Sequence, residues 1–163
     1  MSKSARHYLS QGFTLIELLV VIAIISILAV VVFVALDPVT RFRDARNARR
    51  TADVQNYLTA IHQCIVDNKG SLTPCVGTLT ATNTYEIVSS GAAGCDDVCT
   101  GATSDSSCAD LDTNLAKYLK TLPLDPGGVA TGHTEYSISI DANNLVTIRS
   151  CAAEGSTTIE ASR

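Results

Sequence analysis

Residues 13–36 are apolar at nearly every position, and Leu18 through Leu36 carry no charge and one polar side chain, Ser26. The run lacks Gly and Pro and is rich in Val and Ile, so no helical face is left polar. Its 24 residues make a helix of roughly 36 Å, long enough to cross a hydrocarbon core. The pattern predicts a single-pass membrane segment. A cleaved secretory signal fits poorly. The run exceeds an ordinary signal core, and Phe33-Val34-Ala35 is not a small-x-small cleavage site.

Asp37-Pro38 ends the run, and Pro38 predicts a kink or break, because proline removes a helix donor and clashes one turn back. Helical periodicity then resumes. Val54, Leu58, Ile61 and Ile65 recur at i, i+4, i+7 and i+11, one apolar stripe. Asn68-Lys69-Gly70 is a stop signal. Residues 13–68 therefore read as one long helix kinked at Pro38, with residues 13–36 in the membrane and 37–70 lying on a globular part.

Residues 71–163 form that part. Their first forty are small and polar, with one short strand signal at Tyr85-Glu86-Ile87-Val88. Leu111, Leu115, Tyr118, Leu119 and Leu122 fall at helical spacing before Pro123, predicting a short amphipathic helix. Residues 136–140 and 145–149 alternate apolar and polar around Asp141-Ala142-Asn143-Asn144, a β-hairpin signal. The expected fold class is α+β: a long kinked N-terminal helix, transmembrane in its first half, packed on a small antiparallel sheet.

Charge is unevenly placed. Residues 1–53 hold seven Lys/Arg and four Asp/Glu, a balance of +3, whereas residues 54–163 hold five and twelve, a balance of −7. An acidic globular part disfavours nonspecific nucleic-acid binding. The basic stretch at Arg41, Arg43, Arg46, Arg49 and Arg50 has three readings: a solvated or lipid-headgroup face, pairing with acidic surfaces of neighbouring subunits, or DNA contact. Its position next to the membrane segment tells against the last.

All six cysteines, Cys64, Cys75, Cys95, Cys99, Cys108 and Cys151, follow the apolar run. An even number in a small domain reads as disulfides in an oxidising compartment. Cys95 and Cys99 have zinc-ligand spacing, but no second close pair of Cys or His follows, so no metal site is expected. Short loops favour Cys64–Cys75 and Cys99–Cys108, leaving Cys95 with Cys151. Orientation signals conflict. Counting Lys and Arg on the two flanks puts the C-terminal side in the cytoplasm. The cysteines put it outside, and they prevail, since six thiols without a metal motif have little use in a reducing compartment.

Glu17 stands out as a carboxylate just inside the apolar run, a costly placement that demands a partner. Its helical neighbours Phe13, Thr14, Val20 and Val21 offer no cation. A cut between Gly12 and Phe13 would create an α-amine four residues away, able to neutralise Glu17 in this chain or the next.

Gln11-Gly12-Phe13-Thr14-Leu15-Ile16-Glu17-Leu18-Leu19-Val20-Val21-Ile22-Ala23-Ile24-Ile25 resembles the N-terminal signature of type IV pilins and type II secretion pseudopilins. The resemblance implies a cytoplasmic leader, residues 1–12, removed after Gly12 by a prepilin peptidase, then N-methylation of Phe13. It implies that Glu17 pairs with a neighbouring subunit's N-terminus, that an inner-membrane assembly platform takes part, and that the globular part is pilin-like. Leu122-Pro123-Leu124-Asp125-Pro126 is similar to the segment before the last strands of small pilins and major pseudopilins.

The function expected is a structural subunit of an extracellular type IV pilus-like filament, a homo-oligomer that rests in the cytoplasmic membrane among lipids before assembly. One alternative is a pseudopilin or minor pilin of a type II secretion or DNA-uptake system. Another is a membrane-anchored exported binding domain. No enzyme is expected. His7, His62 and His133 are scattered, and no HExxH, GxSxG, P-loop or dinucleotide motif occurs. Asp96, Asp97, Asp105, Asp110 and Asp112 lack the ligand order of an EF-hand, so neither metal nor cofactor is expected.

Overall fold

The computed structural model describes residues 12–81, 83–90, 92, 95 and 108–163. The chain forms two compact units, one ending at Thr40 and one of Arg41–Arg163. Helix α1, Leu15–Leu36, lies in the first unit and buries none of its residues. Asp37 then takes a left-handed conformation (φ 37°, ψ 69°) that ends α1. Its Oδ2 accepts a bond from Thr40 Oγ1 at 2.6 Å. Pro38 opens helix α2, Pro38–Asp67, at the first helical position, where its missing N–H costs nothing.

Gly70, in a left-handed conformation (φ 88°), closes α2 by donating its N–H to Ile65 O at 2.8 Å. Lys69, also left-handed (φ 57°), donates to Val66 O at 3.2 Å, which completes a Schellman cap with a lysine in the position glycine usually takes. Val54, Leu58 and Ile61 of the apolar stripe are buried, and Tyr57 and Cys64 go in beside them. Each large apolar side chain so buried contributes about 1.5–3 kcal/mol.

The stripe meets a five-stranded sheet ordered β2-β1-β3-β4-β5. Its strands are β1 Thr84–Val88, β2 Ala109–Asp110, β3 His133–Ile140, β4 Val146–Ser150 and β5 Glu160–Ser162. Tyr57 of α2 packs on Tyr136 of β3 with ring centroids 5.5 Å apart. Burial raises both phenol pKa values, and for Tyr136 the nearby Asp53 adds to the effect. Each hydroxyl therefore serves as a donor: Tyr57 to Pro123 O at 2.7 Å, Tyr136 to Asp53 Oδ2 at 3.0 Å.

The hairpin β3–β4 pairs Tyr136 with Ser150 through Ile140 with Val146, the register its alternation specifies. Asp141 Oδ1 holds the turn by accepting from Asn143 N and Leu145 N. The sheet departs from the expected antiparallel form at one edge. Strand β2 runs parallel to β1, with Ile87 opposite Ala109, and two residues are too few to show a strand pattern in sequence.

The expected helix over 111–122 is shorter than its leucine spacing suggests. Helix α4 is only Asp112–Leu115, and α3, Thr73–Val76, is one further turn. Leu111, Leu115 and Leu122 are buried nonetheless. Lys117 Nζ and Tyr118 OH both donate to Asp67 Oδ2, at 2.7 and 3.0 Å. Consecutive helical side chains diverge by about 100°, so two neighbours converging on one carboxylate oxygen match a turn better than a helix.

Cys64 is bonded to Cys75 and Cys95 to Cys108. The second bond corrects the expected Cys99–Cys108 pair, and the expected Cys95–Cys151 pair falls with it. Loop length decides little here: Cys95 and Cys99 both lie between β1 and β2, and a loop four residues longer costs only slightly more to close. Cys151 is also disulfide-bonded. Cys99 lies outside the described residues, as do Asp96, Asp97 and Asp105 of the acidic group.

Cys64–Cys75 ties the end of α2 to α3 across a separation of 11 residues. Closing so short a loop in the unfolded chain is worth about 3 kcal/mol by chain entropy. The double variant Cys64→Ser/Cys75→Ser should lower the unfolding free energy by about that amount, read as a fall in the urea midpoint, with a slope equal to or slightly above the native chain's as the unfolded state loses its cross-link. An unchanged midpoint would show that the bond does not constrain the unfolded chain.

Candidate assembly and membrane-insertion site

Thr14 is the N-cap of α1, in extended conformation (φ −80°, ψ 151°). Its Oγ1 accepts from Glu17 N at 3.2 Å. Glu17 reaches back in return. Its Oε2 accepts from Thr14 N at 2.9 Å and from Thr14 Oγ1 at 2.8 Å. This reciprocal arrangement is a capping box, which satisfies donors that a helix start leaves orphaned. A carboxylate there also complements the positive end of the helix dipole.

Thr-x-x-Glu before an apolar run is the sequence signal of such a box. Seeking only a cation for Glu17 overlooks it. Glu17 thus has polar partners within its own first turn, and both bonds fall on one oxygen.

Past Glu17 the helix surface is apolar on all sides. Phe13, Leu15, Ile16, Leu18 and the residues that follow are exposed. Ser26 is no polar defect, because its hydroxyl donates to Ile22 O at 2.7 Å. A donor bonded within its own helix is compatible with a lipid surround. By length and composition this helix is able to cross a membrane. Its apolar surface finds no cover within the first unit, so lipid or other protein must supply it.

Residues 9–33 match the prokaryotic N-terminal methylation motif. That motif is the signature of type IV pilins and pseudopilins. No curated protein and no solved structure matches the chain. The motif covers 25 of the chain's 163 residues and leaves the Arg41–Arg163 unit unmatched. Within the motif, the structure places Gly12 and Phe13 exposed ahead of α1 and Glu17 one turn in. Pro38 lies beyond the motif, at the start of α2.

The basic stretch of α2 divides into two populations. Arg50 is buried to 1% exposure. Its Nε and Nη2 donate to the two oxygens of Asp125 at 2.5 and 2.9 Å, and its Nη1 donates to Glu154 Oε1 at 2.9 Å. Arg46 holds Glu154 from the other side, with Nε and Nη2 each 2.6 Å from a carboxylate oxygen. Asn47 bonds both the Glu154 carbonyl and the Glu154 N–H. Gly127 completes the site by donating its N–H to Asp125 Oδ1 at 2.7 Å. A Cβ there would lie 2.8 Å from that oxygen, so the close approach requires glycine.

Arg46 and Arg50 are therefore spent on their own domain, where they clamp α2 to the segments before β3 and β5. Neither is available for nucleic acid, and neither reads as a headgroup or neighbour contact. The bonds to Asp125 push the Arg50 pKa above its ordinary value despite opposing burial.

Arg46 and then Arg50 lower the Glu154 carboxyl from 4.5 to about 2. A carboxylate with a depressed folded value stabilises the fold fully above its unfolded value, and that contribution fades as the pH falls through the folded one. Domain stability should therefore decline from about pH 4.5 toward about pH 2, partly on account of Glu154. Glu154→Gln should flatten that acid limb in urea midpoints measured against pH. An unchanged limb would show that Glu154 titrates alike folded and unfolded.

Proposed function

We propose that this chain is a structural subunit of an extracellular type IV pilus-like filament. The leader, residues 1–12, is removed between Gly12 and Phe13 by a prepilin peptidase, and the new Phe13 amine is methylated. The subunit waits in the cytoplasmic membrane, held by α1. An inner-membrane assembly platform then moves it into a homo-oligomeric filament, with the domain on the outside. The observation that carries this reading is the methylation motif on a helix exposed and apolar on all sides, with its one carboxylate in the first turn.

The physical logic is a change of surroundings. An apolar helix exchanges lipid for the helices of neighbours at little hydrophobic cost. Glu17 supplies direction. In the bilayer its bonds to Thr14 limit the penalty of a charged group. In a filament, the ammonium of a neighbouring Phe13 gives it a countercharge in a poorly solvated setting, where such a pair is strong. The protein's role in this reading is assembly and not catalysis.

The filament itself provides the test. Cells should yield, on shearing, long surface fibres that bind antibodies raised against the Arg41–Arg163 unit. The same helix would serve a pseudopilin or minor pilin of a secretion or DNA-uptake machine. Retention of all the chain in the envelope, with no fibre carrying it, would overturn the pilus reading in favour of that one.

A further inference from the structure

Residues 41–45 of α2 are exposed at every position, and only from Arg46 does the helix meet its own domain. Phe42 is 65% exposed, an aromatic side chain with no cover. Arg41 has no carboxylate partner among the described residues. Arg43 has a side chain 52% exposed and only a distant carboxylate, Glu154, at 3.9 Å. Glu154 is already taken at 2.6 Å by Arg46. Side chains one residue apart diverge by about 100° on a helix, so Arg41 and Arg43 flank Phe42 on either side. The clamp explains Arg46 and Arg50 and leaves these three residues unexplained.

We propose that Arg41, Phe42 and Arg43 form a lipid-surface contact: the two guanidinium groups bind headgroup phosphates, and the Phe42 ring enters the interfacial layer. The proposal rests on the membrane stage of the function proposed above. Chain length supports it. Arg41 follows the last residue of α1 by five positions, a reach of at most about 17 Å even when fully extended. Guanidinium matches phosphate oxygens as a planar fork. An acidic surface on a second copy could also attract the arginines and cover Phe42, but the short connection to α1 holds all three residues near the membrane segment before any second copy is met. A lipid interface accounts for both, since charge stays at the phosphates while apolar surface goes deeper.

The test uses the full chain reconstituted into vesicles of phosphatidylcholine and phosphatidylglycerol. The native chain has no tryptophan, so Phe42→Trp introduces a single indole at position 42. That indole should be quenched by lipids brominated near the carbonyl end of the acyl chain. A separate Val66→Trp variant should not be quenched, as Val66 is exposed farther along α2. Each basic side chain at an anionic surface contributes about 1 kcal/mol, so neutralising Arg41 and Arg43 together should lower the ratio of docked to undocked patch roughly 30-fold.

An indole at position 42 quenched no more than one at position 66 would overturn the proposal. So would shielding of position 42 that develops only in assembled fibres, which would assign the patch to a second copy. If the chain fails to float with the vesicles at all, the membrane reading itself fails and the proposal goes with it.

Discussion

Arg50→Met should destabilise the domain by about 3–5 kcal/mol, the cost of removing one partner from a buried ion pair. The loss comes less from the missing attraction than from what remains. Asp125 has a side chain 1% exposed and would be left as a buried carboxylate facing Gly127 N–H alone among its present partners. Glu154 would keep Arg46 and lose less. Arg50→Met combined with Asp125→Leu should recover much of the stability, because replacing both members of a buried pair by apolar groups is often nearly neutral. Arg50→Lys should fall between, since one ammonium does not reproduce a fork that reaches Asp125 and Glu154 together. Urea unfolding of the full chain in micelles, followed by near-ultraviolet dichroism, reads all three. A loss under about 1 kcal/mol for Arg50→Met would place the clamp among surface salt bridges and contradict its burial.

Glu17→Leu should abolish filaments while leaving the unfolding midpoint of the Arg41–Arg163 unit unchanged. Glu17 lies in the other unit, and its bonds are to Thr14. Leucine makes α1 more apolar, so membrane residence should persist or strengthen. Glu17→Gln separates the two roles of the carboxylate. Its amide oxygen still accepts from Thr14, keeping the capping box, but it carries no charge to meet an ammonium. If the filament defect arises from lost charge pairing, Glu17→Gln should be nearly as defective as Glu17→Leu. If it arises from a frayed helix start, Glu17→Gln should assemble almost normally. Fibre yield in the sheared fraction, normalised to chain in the membrane, is the measurement.

The parts legible in sequence share one property: their signal is local. The apolar helix α1 shows itself through its long run of apolar residues, and the hairpin through alternation around Asp141-Ala142-Asn143-Asn144. The stripe on α2 shows itself through spacing. What escaped depends on pairing across the chain. Arg50 meets Asp125 and Glu154, 75 and 104 residues away; its place four residues before Val54 puts it on the buried stripe, unlike Arg49, but names neither partner. Strand β5 is three residues long, and its neighbour Ile159 is the one large apolar residue near it. The Cys108 partner could not be chosen from loop length, since Cys95 and Cys99 lie only four residues apart. At α4, leucine spacing correctly marked residues that turn inward but overstated the helix, because burial needs the spacing and not a continuous helix.

The same contrast holds within the candidate site. The motif around Gly12, Phe13 and Glu17 is written in consecutive residues and so was readable. That Thr14 returns two hydrogen bonds to Glu17 needed the fold, although its four-residue pattern was present. Spacing puts Arg46 and Arg50 on the α2 stripe, at eight and four residues before Val54, but the carboxylates that hold them needed the fold.

The central claim is that the mature chain begins at Phe13. Intact mass and the N-terminal peptide of protein taken from native membranes or fibres test it most directly. The expected result is a chain lacking residues 1–12 whose first residue is N-methylated phenylalanine. Native material that retains the leader in cells with an active prepilin peptidase would contradict it, and would leave Glu17 as the cap of an ordinary membrane anchor.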